Sequence, residues 1–142
     1  MPPKVFTVDA RAILTLGRES IKDHTTALVE LVKNSYDADA KAVEIEIKLN
    51  TSEPVIRVAD NGIGMTEQQV ETDWLRIGYS AKRDERHTKL RRRKTGEKGI
   101  GRLSADRLGS VLELRTRSAG KTYGLKVEWE KFAQPGKDLG RI

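Results

Sequence analysis

The chain has 142 residues, contains no cysteine and carries a formal net charge of +6. Its length is close to that of one ordinary domain, so we expect a single domain over residues 1–142. The lack of cysteine excludes disulfides and thiolate metal sites within this sequence, and two histidines are too few for a histidine-rich metal site. No apolar run approaches the roughly 20 residues of a membrane span, so we expect no membrane contact and an intracellular location, either cytoplasmic or, in a eukaryote, nuclear.

The positive charge is concentrated in one segment, residues 82–94, which we call the basic loop. Its sequence, KRDERHTKLRRRK, holds eight basic and two acidic residues, which leaves 19 basic and 19 acidic residues elsewhere. Basicity therefore belongs to one loop and not to a whole nucleic-acid-binding face. A solvated run of charge is the simplest interpretation, and a nonspecific contact with a polyanion such as nucleic acid is the alternative.

Two helices are predicted near the start of the chain. The first spans residues 10–20, and the second follows Asp23, whose side chain is suited to an N-cap. The second helix carries an apolar stripe on one side and a carboxylate–amide stripe on the other. The apolar stripe consists of Leu28, Leu31, Val32 and Ser35, and the carboxylate–amide stripe of Glu30, Asn34 and Asp37. The second stripe alone is typical of a solvated helix face, so it does not by itself indicate a ligand site.

Strict alternation of apolar and polar residues predicts strands in three places, at residues 43–49, 111–117 and 123–129. In the first of these, the apolar positions are Val43, Ile45, Ile47 and Leu49. Such alternation predicts one buried and one solvent-exposed side for each strand. The residues SAGK at 118–121 are expected to form the turn of the last hairpin.

A further strand, PVIRVAD, leads through a glycine turn into a helix, where Thr66 and Gln69 have the spacing of a capping box. Taken together, these elements predict an α/β (α+β) fold. We expect a two-layer sandwich, in which a mostly antiparallel mixed sheet has its helices on one face.

Three stretches that contain glycine follow the second helix. They are DNGIGM (60–65), IGYSAK (77–82) and GEKGIGRLS (96–104). The P-loop pattern GxxxxGK[ST] is missing from the sequence, and the last stretch has Ser104 where a dinucleotide fingerprint requires glycine or alanine. Each stretch alone is more often a turn or loop than a ligand site. Their order after a helix with the pattern E-x-x-x-N favours a nucleotide site.

The order of ELVKNSYDADA, DNGIGM, IGYSAK and GEKGIGRLS resembles the sequence boxes of the GHKL ATPases. This Bergerat-fold superfamily includes DNA gyrase B subunits, heat-shock chaperones of the 90-kilodalton class, sensor histidine kinases and MutL mismatch-repair proteins. The resemblance covers residues 10–130, and GEKGIG together with GRES (17–20) is most similar to the chaperone-like and microrchidia-like branches. It implies a Bergerat ATP-binding fold that is the N-terminal domain of a longer protein. It also implies Mg²⁺-dependent ATP hydrolysis that drives lid closure and formation of a homodimer.

The resemblance implies a role for each residue of the carboxylate–amide stripe. Glu30 would be the general base that accepts a proton from the attacking water. Asn34 would offer its amide oxygen to Mg²⁺. Asp37 would contribute to the ATP site, brace the end of the helix or contact a basic partner. Sensor kinases usually have asparagine at the position of Glu30, so the glutamate favours hydrolysis over kinase activity.

Adenine recognition is assigned by the same resemblance to the DNGIGM stretch. Asp60 would accept a hydrogen bond from the exocyclic amine of adenine. Guanine presents a carbonyl there, so ATP should be preferred over GTP. Gly62 and Gly64 would let the backbone and an ordered water approach the ring, and Met65 would supply an apolar contact.

The phosphates and the lid are assigned to the last two glycine stretches. The backbone of Gly99, Ile100 and Gly101 would hold the phosphates at the start of a short helix, and Lys98 and Arg102 would add positive charge.

Residues 79–97 would form the lid between two glycine hinges, Gly78 and Gly96, with Ser80 and Lys82 at its base.

Two alternatives to a hydrolytic switch remain open. One is an ATP-gated binding module that contacts nucleic acid or a protein partner through the basic loop with little or no turnover. The other is a degenerate nucleotide fold that serves as a scaffold.

Overall fold

The computed structural model describes residues 7–78, 86–95, 99 and 101–139. Within these residues the helices are α1 (Arg11–Ser20), α2 (His24–Asp37), α3 (Glu67–Gln69) and α4 (Glu130–Ala133). The strands are β1 (Val43–Lys48), β2 (Val55–Asp60), β3 (Val111–Ser118) and β4 (Lys121–Glu128). A π-helical turn, Val70–Trp74, continues α3, and a 3₁₀ helix spans Gly101–Arg107.

Helix α2 begins where the sequence predicts. Asp23 has an extended backbone, and its Oδ1 accepts the backbone N–H of Thr26 at 2.7 Å, which is the geometry of an N-cap. Hydrogen bonds from the backbone and the side chain of Thr26 hold the pKa of Asp23 below its ordinary value, because they favour the charged carboxylate. The predicted capping box at the start of α3 is confirmed as well, since Thr66 and Gln69 each accept the backbone N–H of the other.

The strands form two antiparallel hairpins. Strand β1 pairs with β2, so that Ile45 lies opposite Val58, and β3 pairs with β4, so that Leu114 lies opposite Leu125. The predicted turn of the second hairpin is confirmed, with Ala119 and Gly120 at φ of 50° and 77°. The chain thus has the predicted α/β fold with antiparallel strands, although the described strands form two separate two-stranded sheets.

The core lies between α1, the 3₁₀ helix and the inner face of the second hairpin. Its buried members are Ile13, Leu14, Leu103, Ala105 and Trp129. Leu112 and Val127, which lie opposite each other in β3 and β4, pack against this cluster. Gly17 allows α1 to approach the 3₁₀ helix closely, because a Cβ at this position would be 3.1 Å from the Cβ of Leu103.

The first hairpin differs from the sequence prediction. Val43, Ile45, Ile47 and Leu49 are 37%, 43%, 53% and 59% exposed. The prediction that this side of the strand is buried is therefore wrong for the described part of the chain. Helix α2 contacts the hairpin at the end of β2, where Ser35 donates a hydrogen bond to Asp60. Alternation decides which side chains share a face of a strand, and it contains no information on which element covers that face.

No helix in the described residues is long and apolar enough to span a lipid bilayer.

Candidate functional site

The carboxylate of Glu30 lies between a lysine of its own helix and the start of the 3₁₀ helix. Lys33 Nζ donates to Glu30 Oε1 at 2.6 Å, and the two side chains are 37% and 22% exposed, respectively. The second carboxylate oxygen, Oε2, faces Gly101, where a Cβ would lie 2.8 Å from it. A side chain at this position would require the carboxylate to shift. The structure thus brings Glu30 and Gly101, which the sequence assigns to one site, into contact.

The other two residues of the carboxylate–amide stripe have different surroundings. Asn34 is exposed and lies one turn after Glu30 on the same side of α2. Asp37 is only 7% exposed, and its Oδ1 accepts the backbone N–H of Thr95 at 2.9 Å and the Thr95 hydroxyl at 3.2 Å. Asp37 therefore anchors the chain just after the basic loop, and its contact with ATP stays a prediction.

Asp60 ends β2, and its carboxylate is oriented by two donors. Ser35 Oγ donates to Oδ2 at 3.0 Å, and the backbone N–H of Gly62 donates to Oδ1 at 2.8 Å. Asp60 is nevertheless exposed, and each carboxylate oxygen can accept a second hydrogen bond. The group therefore keeps acceptor capacity for a ligand. Ser35 is five residues after Glu30, which places this partner of Asp60 about 7.5 Å further along the axis of α2.

Gly62 is required by the packing of the DNGIGM loop against the end of α2. A Cβ at Gly62 would lie 2.5 Å from the carbonyl oxygen of Ala38. The same carbonyl accepts the backbone N–H of Ile63 at 2.8 Å. Asn61 ties the loop to the start of the first hairpin, since its Oδ1 accepts the backbone N–H of Ala42 at 2.9 Å. Contacts with the end of α2 and the start of the first hairpin therefore hold the DNGIGM loop in place.

Gly64 and Met65 join the same loop to the second hairpin. Gly64 has φ of 65°, and a Cβ on it would lie 2.0 Å from the carbonyl oxygen of Arg117. The backbone N–H of Met65 donates to Thr116 Oγ1 at 2.8 Å. Both predicted adenine-site residues thus lie against β3, and the glycine is needed for this contact whether or not a ligand binds.

The guanidinium of Arg102 is directed at a helix end. Its Nη1 donates to the backbone carbonyl oxygens of Asp73 and Trp74, and to that of Arg76 at 3.5 Å. Burial lowers the pKa of Arg102, although the charge of Asp73 opposes the shift. The structure therefore places this cation on the carbonyls that end the π-helical turn, and its predicted role at the phosphates stays a prediction.

Several predicted residues fall outside the described part of the chain, namely Ser80, Lys82, Gly96, Lys98 and Ile100. Their assigned roles at the lid and the phosphates stay predictions. Two glycines beside these gaps, Gly78 and Gly99, have φ of 75° and 68°. Both values lie in the left-handed region that glycine adopts readily.

The described part of the basic loop is a small hairpin. The backbone N–H of Lys94 donates to the carbonyl oxygen of Arg86, and that of Thr88 to the carbonyl oxygen of Arg92, both at 2.9 Å. Arg91 has φ of 60° at the tip, where its N–H donates to the carbonyl oxygen of Thr88 at 2.9 Å. The run of charge thus has a defined backbone conformation over these residues.

This small hairpin is docked on the acidic turn that ends α2. Arg92 Nη1 donates to the carbonyl oxygen of Ala40 at 2.7 Å, and the guanidinium lies 5.0 Å from the ring centre of Tyr36. Asp39 Oδ2 accepts the backbone N–H of Leu90 at 3.1 Å. Burial raises the pKa of Asp39, but hydrogen bonds from Thr88 and Leu90 and the charge of Arg92 outweigh it and hold the pKa below its ordinary value.

Neither the docking of the basic loop nor the pairing of Lys33 with Glu30 was predicted from the sequence. The spacing of Lys33 and Glu30 on one helix was a usable signal, because residues three apart are neighbours on a helix surface. The docking had a weaker signal in the acidic turn YDADA beside a strongly basic segment.

A magnesium ion would depend on few protein groups here. The described residues contain no group of three or more histidine, cysteine, aspartate or glutamate side chains that could hold a metal ion. Mg²⁺ usually keeps several waters and is held by one or two protein oxygens together with substrate phosphates. The exposed amide of Asn34, one turn from Glu30, fits such a site.

The sequence is similar to proteins with several different functions. Residues 22–140 match a family model described as "Histidine kinase-, DNA gyrase B-, and HSP90-like ATPase". A putative type II restriction enzyme, HgiDII, of Herpetosiphon aurantiacus is 34% identical over 99 residues, which are 70% of this chain and 16% of that protein. The chaperone protein HtpG of Buchnera aphidicola is 33% identical over 111 residues, which are 74% of this chain and 17% of HtpG.

The DNA mismatch repair protein MutL of Endomicrobium trichonymphae is 31% identical over 127 residues, which are 89% of this chain and 21% of MutL. The chain therefore spans between 16% and 21% of the length of these three relatives.

Proposed function

We propose that this chain, which belongs to the family of histidine kinase-, DNA gyrase B- and HSP90-like ATPases, binds ATP with Mg²⁺. We propose further that it hydrolyses ATP with Glu30 as general base. Family membership supports ATP binding. The observation that carries the hydrolytic proposal is the partly buried carboxylate of Glu30, which faces Gly101 at the start of the 3₁₀ helix.

In the proposed reaction, Glu30 accepts a proton from water as the water oxygen bonds to the γ-phosphorus. The bond between that phosphorus and the β–γ bridging oxygen breaks, which yields ADP and inorganic phosphate. A positioned general base contributes a factor of about 10² to 10⁴ in rate. Glu30 is suited to this role because Lys33 binds one oxygen of its carboxylate, and the other oxygen faces the space that Gly101 leaves open.

Asn34 would hold the magnesium ion through its amide oxygen, and the ion would neutralise negative charge on the phosphates. Asp60 would select adenine, since its carboxylate is exposed and retains acceptor capacity while Ser35 and Gly62 fix its orientation. The purine would then lie near the end of β2 and the phosphates near Glu30, at the two ends of one stretch of α2.

The direct test replaces Glu30 with glutamine, which keeps the shape of the side chain and removes its basicity. We expect Glu30→Gln to bind ATP with a dissociation constant within about threefold of the parent and to lose turnover by a factor of about 10² or more. Glu19→Gln, on an exposed acid of α1, is the matched control and should keep full turnover. Unchanged turnover in Glu30→Gln would remove Glu30 from its role.

The base preference is tested by Asp60→Asn, measured by titration with ATP and GTP. The amide keeps one acceptor oxygen, which can receive the Gly62 N–H, and introduces an NH₂ group, which can donate to the Ser35 hydroxyl and to the carbonyl of guanine. We therefore expect the ratio of ATP to GTP affinity to fall by tenfold or more. A ratio that is unchanged by the substitution would place adenine elsewhere.

We further propose that ATP binding drives lid closure and formation of a homodimer. Sedimentation with and without a non-hydrolysable ATP analogue measures this step. A mass that stays that of the monomer at saturating analogue would exclude the dimer.

A second candidate function is an ATP-gated contact with nucleic acid through the basic loop. It is favoured by the exposed side chains of Arg91 and Arg93 on the docked hairpin. Two relatives are named as a restriction enzyme and a mismatch repair protein. The double substitution Arg91→Ser and Arg93→Ser should reduce DNA affinity and flatten its dependence on salt while ATP binding persists. Arg92 is left intact because it holds the hairpin on Ala40.

A further inference from the structure

We infer that Lys33 is a positioning residue for Glu30, an inference that rests on the proposed hydrolytic function. The distance between Lys33 Nζ and Glu30 Oε1 is 2.6 Å. Both side chains are partly buried, with 37% of Lys33 and 22% of Glu30 exposed. Burial reduces the screening that makes most surface ion pairs weak. The contact is therefore suited to holding the carboxylate in place.

The orientation of the carboxylate follows from its two neighbours. A glutamate side chain has several rotatable bonds and loses conformational freedom when it is fixed in one geometry. The ammonium of Lys33 binds Oε1, so that Oε2 is the oxygen directed at Gly101. The oxygen that faces Gly101 is therefore the one that would accept the proton of the attacking water in the proposed reaction, because Lys33 binds the other oxygen.

The position of Lys33 on α2 explains why the helix can provide this contact. At about 100° per residue, Lys33 lies about 60° around the helix from Glu30, at the edge of the carboxylate–amide stripe. Its side chain can therefore reach Glu30 from beside the stripe and leave Asn34 accessible. Since the ammonium is already bonded to Glu30, Lys33 acts through the base and does not need to touch the nucleotide.

Three single variants test this role, with ATP turnover measured as phosphate release and ATP affinity measured separately. Lys33→Met keeps most of the stem and removes the charge, and we expect its kcat to fall about tenfold to a hundredfold, as for loss of a hydrogen bond to a charged group. Its dissociation constant for ATP should change less than about threefold. Lys33→Arg, which restores a cation, should recover most of kcat. Lys22→Met, on an exposed lysine before α2, is the matched control and should behave as the parent.

The combination with Glu30→Gln decides whether Lys33 acts through Glu30. In that background Lys33→Met should have no further effect on turnover, because residues that act as a unit are strongly non-additive. A full additional loss in the double variant would overturn the inference. So would a Lys33→Met variant with unchanged kcat, or one whose only change is weaker ATP binding, which would make Lys33 a phosphate ligand.

A measurement without nucleotide keeps the inference testable independently of turnover. The nitrogen-15 resonance of the Lys33 ammonium should move on Glu30→Gln and remain unchanged on Glu19→Gln. An unaffected resonance would show that the pair does not form in solution and would overturn the inference. The two proposals fail differently. If Glu30→Gln loses turnover and Lys33→Met does not, only the role of Lys33 is removed. If Glu30→Gln keeps full turnover, the proposed function itself is removed.

Discussion

The two β-hairpins have the same alternation of apolar and polar residues but different surroundings. In the second hairpin, Leu112 and Val127 pack against the buried core. In the first, Ile45 and Ile47 are 43% and 53% exposed. The difference arises because α1 and the 3₁₀ helix cover the second hairpin, whereas α2 meets the first at its Asp60 end. The same local pattern thus leads to a core in one place and an open apolar face in the other.

The candidate adenine site contacts both hairpins. The DNGIGM loop follows the first hairpin, and Gly64 and Met65 contact Arg117 and Thr116 of the second. The predicted adenine site is therefore located where the open hairpin and the covered hairpin meet. Changes at this junction should have larger effects than changes within the open hairpin.

The largest effect is expected for Gly64→Ala, which breaks the junction between the hairpins. The new Cβ would lie 2.0 Å from the Arg117 carbonyl oxygen at a φ of 65°, so the loop must move away from β3. We expect the free energy of unfolding to fall by more than about 3 kcal/mol, together with loss of ATP binding. Gly120→Ala is the matched control, because it has φ of 77° with open space around it and should cost only about 1 kcal/mol. Equal losses in urea denaturation would contradict the crowding at Gly64.

The next effect separates the two apolar faces directly. Leu112→Ala removes contacts with the core and should lower the free energy of unfolding by about 2 to 3 kcal/mol. Ile45→Ala, on the face that is 43% exposed, should lower it by less than about 1 kcal/mol. Denaturant midpoints of the two variants measure the difference. A comparable loss for Ile45→Ala would mean that the first hairpin is covered in solution.

A smaller effect is expected from the hydrogen bond that links the hairpins. Thr116→Val removes the acceptor of the Met65 N–H and should cost about 1 kcal/mol. Thr122→Val, at an exposed position of β4, is the control for the loss of a hydroxyl and should be nearly neutral. Amide hydrogen exchange at Met65 should accelerate in Thr116→Val, and unchanged exchange would show that the bond is not formed.

The smallest effect is expected for the pH dependence of stability, to which Glu46 of the first hairpin and Glu128 of the second contribute. Hydrogen bonds from Lys131 and Lys126 lower the pKa of Glu128 from its ordinary 4.5, and a hydrogen bond from Lys48 lowers that of Glu46. A carboxylate with a lowered folded pKa contributes stability above its ordinary pKa, and the contribution is lost as the pH falls through the folded value. Glu128 accepts hydrogen bonds from two lysines and Glu46 from one, so the Glu128 contribution should be larger. Thermal unfolding of Glu128→Gln and Glu46→Gln between pH 7 and pH 3 measures this order.

Part of the candidate site was predictable from sequence because its signals are local. The spacing of Glu30 and Asn34 on α2 follows from helix geometry, and the strand that ends at Asp60 follows from alternation before a glycine turn. The contact of Gly101 with Glu30 agrees with the prediction that the E-x-x-x-N helix and the GEKGIGRLS stretch belong to one site. The positions of Asp37 on Thr95 and of Arg102 on the carbonyls of residues 73–76 had no local signal, since both depend on segments distant in the chain.

The sequence by itself determined the N-cap at Asp23, the capping box at Thr66, the two stripes of α2, the alternation of the strands and the family of the chain. These features depend on side chains within a few residues of one another, whose relation is set by helix and strand geometry. Only the tertiary structure decided that one hairpin is covered and the other open, and that the basic loop is docked on the end of α2. Burial and docking depend on which distant segments come together, and the periodicity of a single segment does not specify its partners.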